Sequence, residues 1–282
     1  MSDRQELRSG AGSVNIQSSG DVNFGVSYTE ARMIALDVFR ANFLQMRDMA
    51  REIAESRAQQ ILDSFLEKLR TEKIDPSITV SDPDMQYAIF DAQKGFARSG
   101  EPELGLLLSD LLLRRSKEPQ RTTLQLVLNE SLQVAPKLNV HQLDLLSLSW
   151  VMRCTKFKFS SKEAIFDSYA QWMEPFSHDL RAEDSSYSHM QYAGCGAIEM
   201  GEITILRILV GEYPELFQTH QMDPKIIETF MQHSPTLRRV AEYWASSQAK
   251  SFTLTSVGMA LANAHFCAKF PDLTVPLTIW VK

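Results

Sequence analysis

The chain is poor in cysteine and has no long apolar segment. Its three cysteines, Cys154, Cys195 and Cys267, are far apart and odd in number. This pattern argues against a disulfide framework or a cysteine-rich zinc site and favours a reducing compartment. The most apolar stretches, residues 104–113 and 203–210, are about half of the ~20 residues that cross a bilayer. The first eight residues are polar and charged, unlike a signal peptide. The sequence therefore predicts a cytoplasmic protein without a membrane span.

Familiar catalytic motifs are missing as well. The sequence contains no Walker A loop, no GxGxxG, no HExxH and no GxSxG. Its six histidines show no two-ligand spacing on a helix, so we predict neither a metal nor a cofactor. The net charge of −6 argues against a broad nucleic-acid-binding surface, which needs concentrated lysine and arginine.

What the sequence does contain is an internal repeat near its N-terminus. Residues 12–17 and 20–25 align at an offset of eight, and each unit alternates apolar with polar residues, which is typical of a strand with one buried face. We predict an arm over residues 1–27 that forms a β-hairpin or, alternatively, two stacked rungs of a β-arch. The arm either covers its own fold or pairs between copies of the chain, although stacked copies of Asp21 would repel one another. The predicted assembly residues are Val14, Asn15, Ile16, Gln17, Asp21, Val22, Asn23 and Phe24.

The next segment predicts one long helix over residues 29–73. Apolar residues recur at helical spacing, and no glycine or proline interrupts them. Such a helix would reach roughly 65 Å, and helices of this length commonly support a bundle or contact another subunit.

Prolines that follow a short polar or acidic residue predict helix starts at residues 83, 102, 119, 224 and 235, and a capping box at residues 160–163 predicts another. We expect residues 74–81 to form a loop, and we expect helices near residues 83–98, 102–115, 119–134, 140–154, 163–173, 187–192, 202–211, 224–233 and 235–247. The predicted fold is mainly α, a multi-helix bundle with the long N-terminal helix, the β-hairpin arm and a small C-terminal winged-helix-like α+β part. The predicted parts are the arm (1–27), a helical bundle (28–155) and a second helical part (156–282).

The winged-helix expectation comes from residues 252–258, where a strand ending in Leu-Thr leads into a helix. The last residues, 275–281, are predicted as a strand that pairs with residues 251–254 or with the arm. In this interpretation Arg238 and Arg239 would contact nucleic acid, although basic residues are sparse around them. A DNA-binding regulator is therefore an alternative hypothesis.

A second alternative is an enzyme centred on Cys195. Its flanking glycines, Gly194 and Gly196, would let a substrate approach, and His189 would serve as a base. The competing interpretation is a buried thiol between packed helices. His178 with Asp179, and the group Glu199, Glu202 and Glu212, are weaker candidates that we interpret as solvated charges.

Three segments resemble an uncharacterised family of bacterial cytosolic proteins: the arm running into residues 28–32, the segment 143–148, and the end from Leu254 to Val281. The Gly20-Asp-Val-Asn arm is also similar to short β-arch motifs of bacterial and fungal immune proteins. That resemblance implies a role in antiviral defence. The leading hypothesis is a non-enzymatic, self-assembling interaction protein with a protein partner, acting as a sensor or effector in defence against phage.

Overall fold

The computed structural model describes residues 28–42, 48–181, 184–217, 222–273 and 275–281. The predicted arm, with all of its assembly residues, lies outside them. The described residues are mainly helical with one small two-stranded sheet, which confirms the predicted fold class at that level. The elements are α1 (Tyr28–Asn42), α2 (Asp48–Thr71), α3 (Pro76–Ser81), α4 (Pro83–Ser99), α5 (Pro102–Ser116), α6 (Thr123–Val134), α7 (Val140–Arg153), α8 (Lys162–Met173), α9 (Asp184–Tyr192), β1 (Gly196–Ile198), α10 (Ile205–Glu212), α11 (Pro214–Phe217), α12 (Pro224–His233), α13 (Pro235–Ser246), β2 (Phe252–Leu254) and α14 (Ser256–Lys269).

The prediction of one continuous helix over residues 29–73 is wrong. The Arg32 Nε and Asp63 Oδ1 atoms lie 2.8 Å apart, whereas a straight helix would separate these residues by about 46 Å. The chain therefore reverses direction between α1 and α2, and the two helices form an antiparallel hairpin. The physical reason is burial: Phe39 of α1 packs with Ala54 and Ala58 of α2, an arrangement that a straight helix does not allow.

Helix starts follow the proline pattern at most positions. Helices α4, α5, α12 and α13 begin at the predicted prolines, and Asp82 shows why: its side chain accepts the Asp84 amide. The start predicted at Pro119 is wrong, because Thr122 caps α6 by accepting the Gln125 amide. The loop predicted for residues 74–81 contains the short helix α3, which Asp75 caps in the same way.

One continuous cluster of buried side chains extends from Ala31 to Val281. Helix α14 packs against α5, α6 and α7, so a helix near the C-terminus completes a core that also contains helices from the first half of the chain. The α7–α14 contact includes a polar contact of the buried His265, whose Nε2 atom lies 2.9 Å from Oδ1 of Asp144. This packing fixes the ends of α7 and α14, which line the clefts described below.

The C-terminal segment does not pair as predicted. Strand β2 runs antiparallel to β1, with Gly196 opposite Leu254, and so pairs with neither residues 275–281 nor a wing that follows it. Residues 275–281 instead contain a 3-10 turn, Leu277–Ile279. Leu277 and Val281 are both buried, and their spacing of four suits a helical turn, not an alternating strand. The Trp280 indole donates to the Cys154 carbonyl at 2.8 Å and anchors this end of the chain.

Candidate functional site

The two predicted nucleic-acid contacts lie side by side on α13 but differ in their surroundings. Arg239 donates to the hydroxyls of Ser177 and Thr236, at 3.1 and 3.3 Å. Arg238 is exposed. The only other charged residue on α13 is Glu242, so this helix contributes a net charge of about +1. A surface of that kind supplies few of the phosphate contacts that DNA binding requires.

Cys195, the candidate nucleophile, is fully buried. Burial raises the pKa of its thiol to about 12, which keeps the group protonated and unreactive. His189 does not serve it as a base: its Nδ1 atom lies 2.9 Å from Nε2 of Gln142, and its ring stacks on Tyr192. The arrangement therefore matches the buried-thiol interpretation.

The flanking glycine has a packing role. A side chain at Gly196 would overlap the Phe252 ring of the neighbouring strand. A side chain at Gly258, in the first turn of α14, would overlap the carbonyl oxygen of Cys195. That carbonyl also accepts the amide of Thr255 at 3.0 Å. The small residues around Cys195 thus allow β1 and α14 to approach closely.

The weaker charged candidates pair separately. His178 faces Glu174 at 3.3 Å, and Asp179 binds Arg181 at 2.7 Å. Glu202 pairs with Lys250, and Glu212 with Lys156, at 3.1 and 3.2 Å. Within the described ranges, no three histidine, cysteine or acidic side chains group in a way that could hold a metal ion.

Exposed apolar side chains occur on the α1–α2 hairpin, which follows the arm. Met33 of α1 is half exposed, and Met49 and Ile53 of α2 are 79% and 52% exposed. Met49 and Ile53 lie four residues apart, on the same face of their helix. Tyr28, the first described residue after the arm, is 46% exposed. Apolar surface of this kind is typical of contacts with other chains, although single exposed apolar residues are common on any protein.

A first cleft, with a cavity volume of about 630 Å³, opens between α5, α6 and the segment after α14. Leucines and charged residues line it. The cations of this lining have acidic partners: Lys68 and Arg114 both contact Asp110, at 3.6 and 2.7 Å, and Lys117 contacts Glu72 at 3.2 Å. These charges satisfy one another within the fold.

A second cleft, of about 580 Å³, lies between α10, the end of α7, β2 and α14. Two arginines, Arg153 and Arg207, line it. The apolar residues that line it are Ile203, Ile208, Val210, Leu254, Met222 and Met259. Within the described part of the chain, neither arginine has an acidic partner at ion-pair distance, in contrast to the cations of the first cleft.

Arg153 is held in place by neutral acceptors. Its guanidinium donates to the carbonyl of Lys250 at 2.5 Å and to the hydroxyl of Thr253 at 3.2 Å. It lies 5.6 Å from the centre of the Trp244 ring. Its buried Nε–H has no acceptor among the described residues. Burial lowers the pKa of this arginine, because a desolvated cation has no nearby carboxylate to offset the cost.

Sequence reasoning missed this cleft. Arg207 is the only charged residue in the apolar stretch 203–210, and that isolation was a usable signal. Arg153 lies in the last turn of α7, which is an ordinary place for an arginine. Its position in the cleft depends on how β2 folds back beside α7, and no local pattern encodes that.

Over the described residues, no helix combines the length and the apolar character needed to cross a bilayer. No curated protein and no solved structure gave a significant match to the chain. A protein-family model without a stated activity matches residues 25–222 and 213–281. The predicted arm residues, which end at Phe24, precede the matched segments. The matches together extend over most of the chain, which therefore belongs to this uncharacterised family.

Proposed function

We propose that this protein is a non-enzymatic, self-assembling interaction protein. In this proposal the repeat in residues 12–25 pairs between copies of the chain, and the helical body presents surfaces to a protein partner. Its setting is defence against phage, where it acts as a sensor or effector. This setting rests on the resemblance of the Gly20-Asp-Val-Asn arm to short motifs of immune proteins.

One observation carries the assembly proposal. The repeat of alternating apolar residues leads directly into a helical hairpin on which Tyr28, Met33, Met49 and Ile53 are exposed. Two isolated strands are marginally stable in water, so the arm needs a surface or another strand to pack against. The arm of a second copy supplies such a strand through edge-to-edge pairing.

The first experiment compares the solution mass of the full chain with that of a chain lacking residues 1–26, by light scattering on a sizing column. We expect a defined oligomer or filament for the full chain and a folded monomer for the truncation. A double variant, Val22→Asp with Phe24→Asp, places charge on the apolar face of one strand and should reproduce the truncation. The control Ser18→Asp, in the predicted turn, should retain assembly. Equal masses for all four proteins would overturn the proposal.

A second experiment tests the hairpin surface. If Met49 and Ile53 form part of the contact between copies, Ile53→Glu should weaken the assembly of the full chain. Tyr87→Glu provides the matched control, because Tyr87 is 72% exposed on α4, which is not part of the α1–α2 hairpin. If the two substitutions have the same effect on the solution mass, the hairpin does not take part.

The defence setting requires a cellular measurement. Bacteria that express the full chain, alone and with its native neighbouring genes, should show a reduced efficiency of phage plating. The Val22→Asp/Phe24→Asp variant should lose that protection. Protection that does not depend on the arm would separate defence from assembly. Binding to duplex DNA that is lost in Arg238→Glu/Arg239→Glu would instead favour the DNA-binding alternative.

A further inference from the structure

The second cleft combines an apolar wall with positive charge. Its apolar side chains come from α10, β2 and α14 and from Ile203 and Met222 in the adjoining loops, so several separate segments build one cleft. Its volume of about 580 Å³ is within the range of small-molecule sites, roughly 300–1,000 Å³.

The charge in the cleft is not neutralised by the fold. Glu212 is the acidic residue of the lining, and it already pairs with Lys156 at 3.2 Å. Arg207 is exposed at the opening and has no ion-pair partner in the described part of the chain. Arg153 is half-buried deeper in and is bound only by carbonyl and hydroxyl oxygens. Two cations without acids in a partly apolar cleft create a positive potential there.

A simpler structural role explains only part of this arrangement. Arg153 joins the end of α7 to the carbonyls of the turn Gln248–Lys250, and that role accounts for its position. It does not account for Arg207, whose side chain bonds to no described residue. Both arginines thus lie on one partly apolar cleft, an arrangement that suits an anionic ligand.

We propose that this cleft binds a small organic anion with an apolar body. The anionic group would contact Arg207 at the opening and lie in the field of Arg153. The apolar body would pack on Ile208, Leu254 and Met259. Guanidinium groups favour carboxylate, phosphate and sulfonate oxygens because they offer paired N–H donors. The site does not depend on self-assembly, and either conclusion stands if the other fails.

The test uses two dyes that share one body. 1-Anilinonaphthalene-8-sulfonate is an apolar ring system with a sulfonate, and N-phenyl-1-naphthylamine is the same ring system without it. Each is titrated into the full chain by fluorescence. We expect the sulfonate dye to bind at least about tenfold more tightly, and its affinity to fall with added salt.

Arg207→Glu is the informative variant, because an exposed residue can be changed without disturbing the core. We expect it to weaken binding of the sulfonate dye at least about tenfold and to change binding of the neutral dye less than about twofold. Arg238→Glu, an equal charge change at an exposed position on α13, should leave both affinities unchanged. If Arg207→Glu and Arg238→Glu weaken the sulfonate dye equally, only net charge matters and the proposal is wrong.

Methyl NMR locates the bound dye. With 13C-labelled methionine methyl groups, the Met259 signal should shift on addition of the sulfonate dye, while the exposed Met200 signal should not. Displacement by decanoate and by decyl phosphate then distinguishes a carboxylate from a phosphate head group. An unmoved Met259 signal at saturating dye would place the dye elsewhere and overturn the site.

Discussion

The guanidinium of Arg115, at the C-terminal end of α5, donates to the carboxylate of Asp84 in the first turn of α4, at 2.5 Å. Arg115 is 1% exposed and would be an unpaired buried charge without its partners. Asn129 of α6 donates to the same carboxylate at 2.8 Å, and Asp82, the cap of α4, contacts Arg115 at 3.3 Å. The network therefore joins three helices, and its hydrogen bonds and ion pairs offset the cost of burying the Arg115 charge.

We expect the stability of the protein to fall in acid through Asp84. Hydrogen bonds from Arg115 and Asn129 hold the pKa of this carboxyl below its ordinary value of 3.8. A lowered pKa in the folded state contributes stability above the unfolded-state pKa, and that stability is lost as the pH falls through the folded-state value. The free energy of unfolding, measured with urea, should therefore decline below about pH 4.

Asp84→Asn tests this assignment. At pH 7 it should lower the free energy of unfolding by roughly 1–2 kcal/mol, a value reduced by the half exposure of the carboxylate. It should also flatten the acid decline. Asp179→Asn, which breaks an exposed pair with Arg181, should cost less than about 0.5 kcal/mol. An unchanged acid profile in Asp84→Asn would assign the decline to other carboxyls.

The close approach of α14 to Cys195 predicts a large effect at Gly258. Gly258→Ala should lower the free energy of unfolding by about 3 kcal/mol or more, because the added methyl group overlaps the Cys195 carbonyl. Gly211→Ala, in α10, is the matched control: nothing lies within 4 Å of the added methyl group. That control should be neutral or stabilising by up to about 1 kcal/mol. Urea denaturation of both variants measures the two changes, and equal losses of stability would contradict the close contact between Gly258 and the Cys195 carbonyl.

The α1–α2 hairpin can be tested at Phe39. Phe39→Ala should cost roughly 3 kcal/mol and loosen α1, because the ring is buried against Ala54 and Ala58. In Phe39→Ala, amide hydrogens of residues 28–42 should exchange faster than in the unsubstituted protein, and by a larger factor than the amides of the core helices. Met33→Ala removes a half-exposed side chain of the same helix and should leave exchange unchanged. Equal protection of α1 in both variants would show that the Phe39 contact does not hold the hairpin together.

The thiols offer a test of the enzyme alternative. Burial raises the pKa of Cys195 to about 12 and that of Cys154 to about 11, so both thiols stay protonated at pH 8. Alkylation with iodoacetamide, followed by peptide mass spectrometry, should leave Cys195 unmodified until urea unfolds the protein. Rapid labelling of native Cys195 that slows in His189→Ala would instead restore the cysteine–histidine hypothesis.

The sequence by itself determined the helical class of the protein and the starts of several helices. Such starts are local events. Asp82 and Asp223 each accept the amide two residues ahead, and the proline that directly follows each aspartate favours the helical φ angle. Thr122 shows the limit of this reasoning, since a hydroxyl cap without proline competed with Pro119 and formed the helix start. Spacing of apolar residues also identified most of the core helices, because one buried face imposes a helical period.

The tertiary structure alone decided which elements meet. Arg32 and Asp63 show that α1 turns back on α2, and no sequence period distinguishes a straight helix from a hairpin of two. Strand β2 lies beside β1, more than fifty residues earlier, and not beside the chain end. The same folding back brings Arg153 and Arg207 to one cleft. These pairings depend on contacts between distant residues, whose free energies are set by the packed core as a whole and leave no signal in any short stretch of sequence.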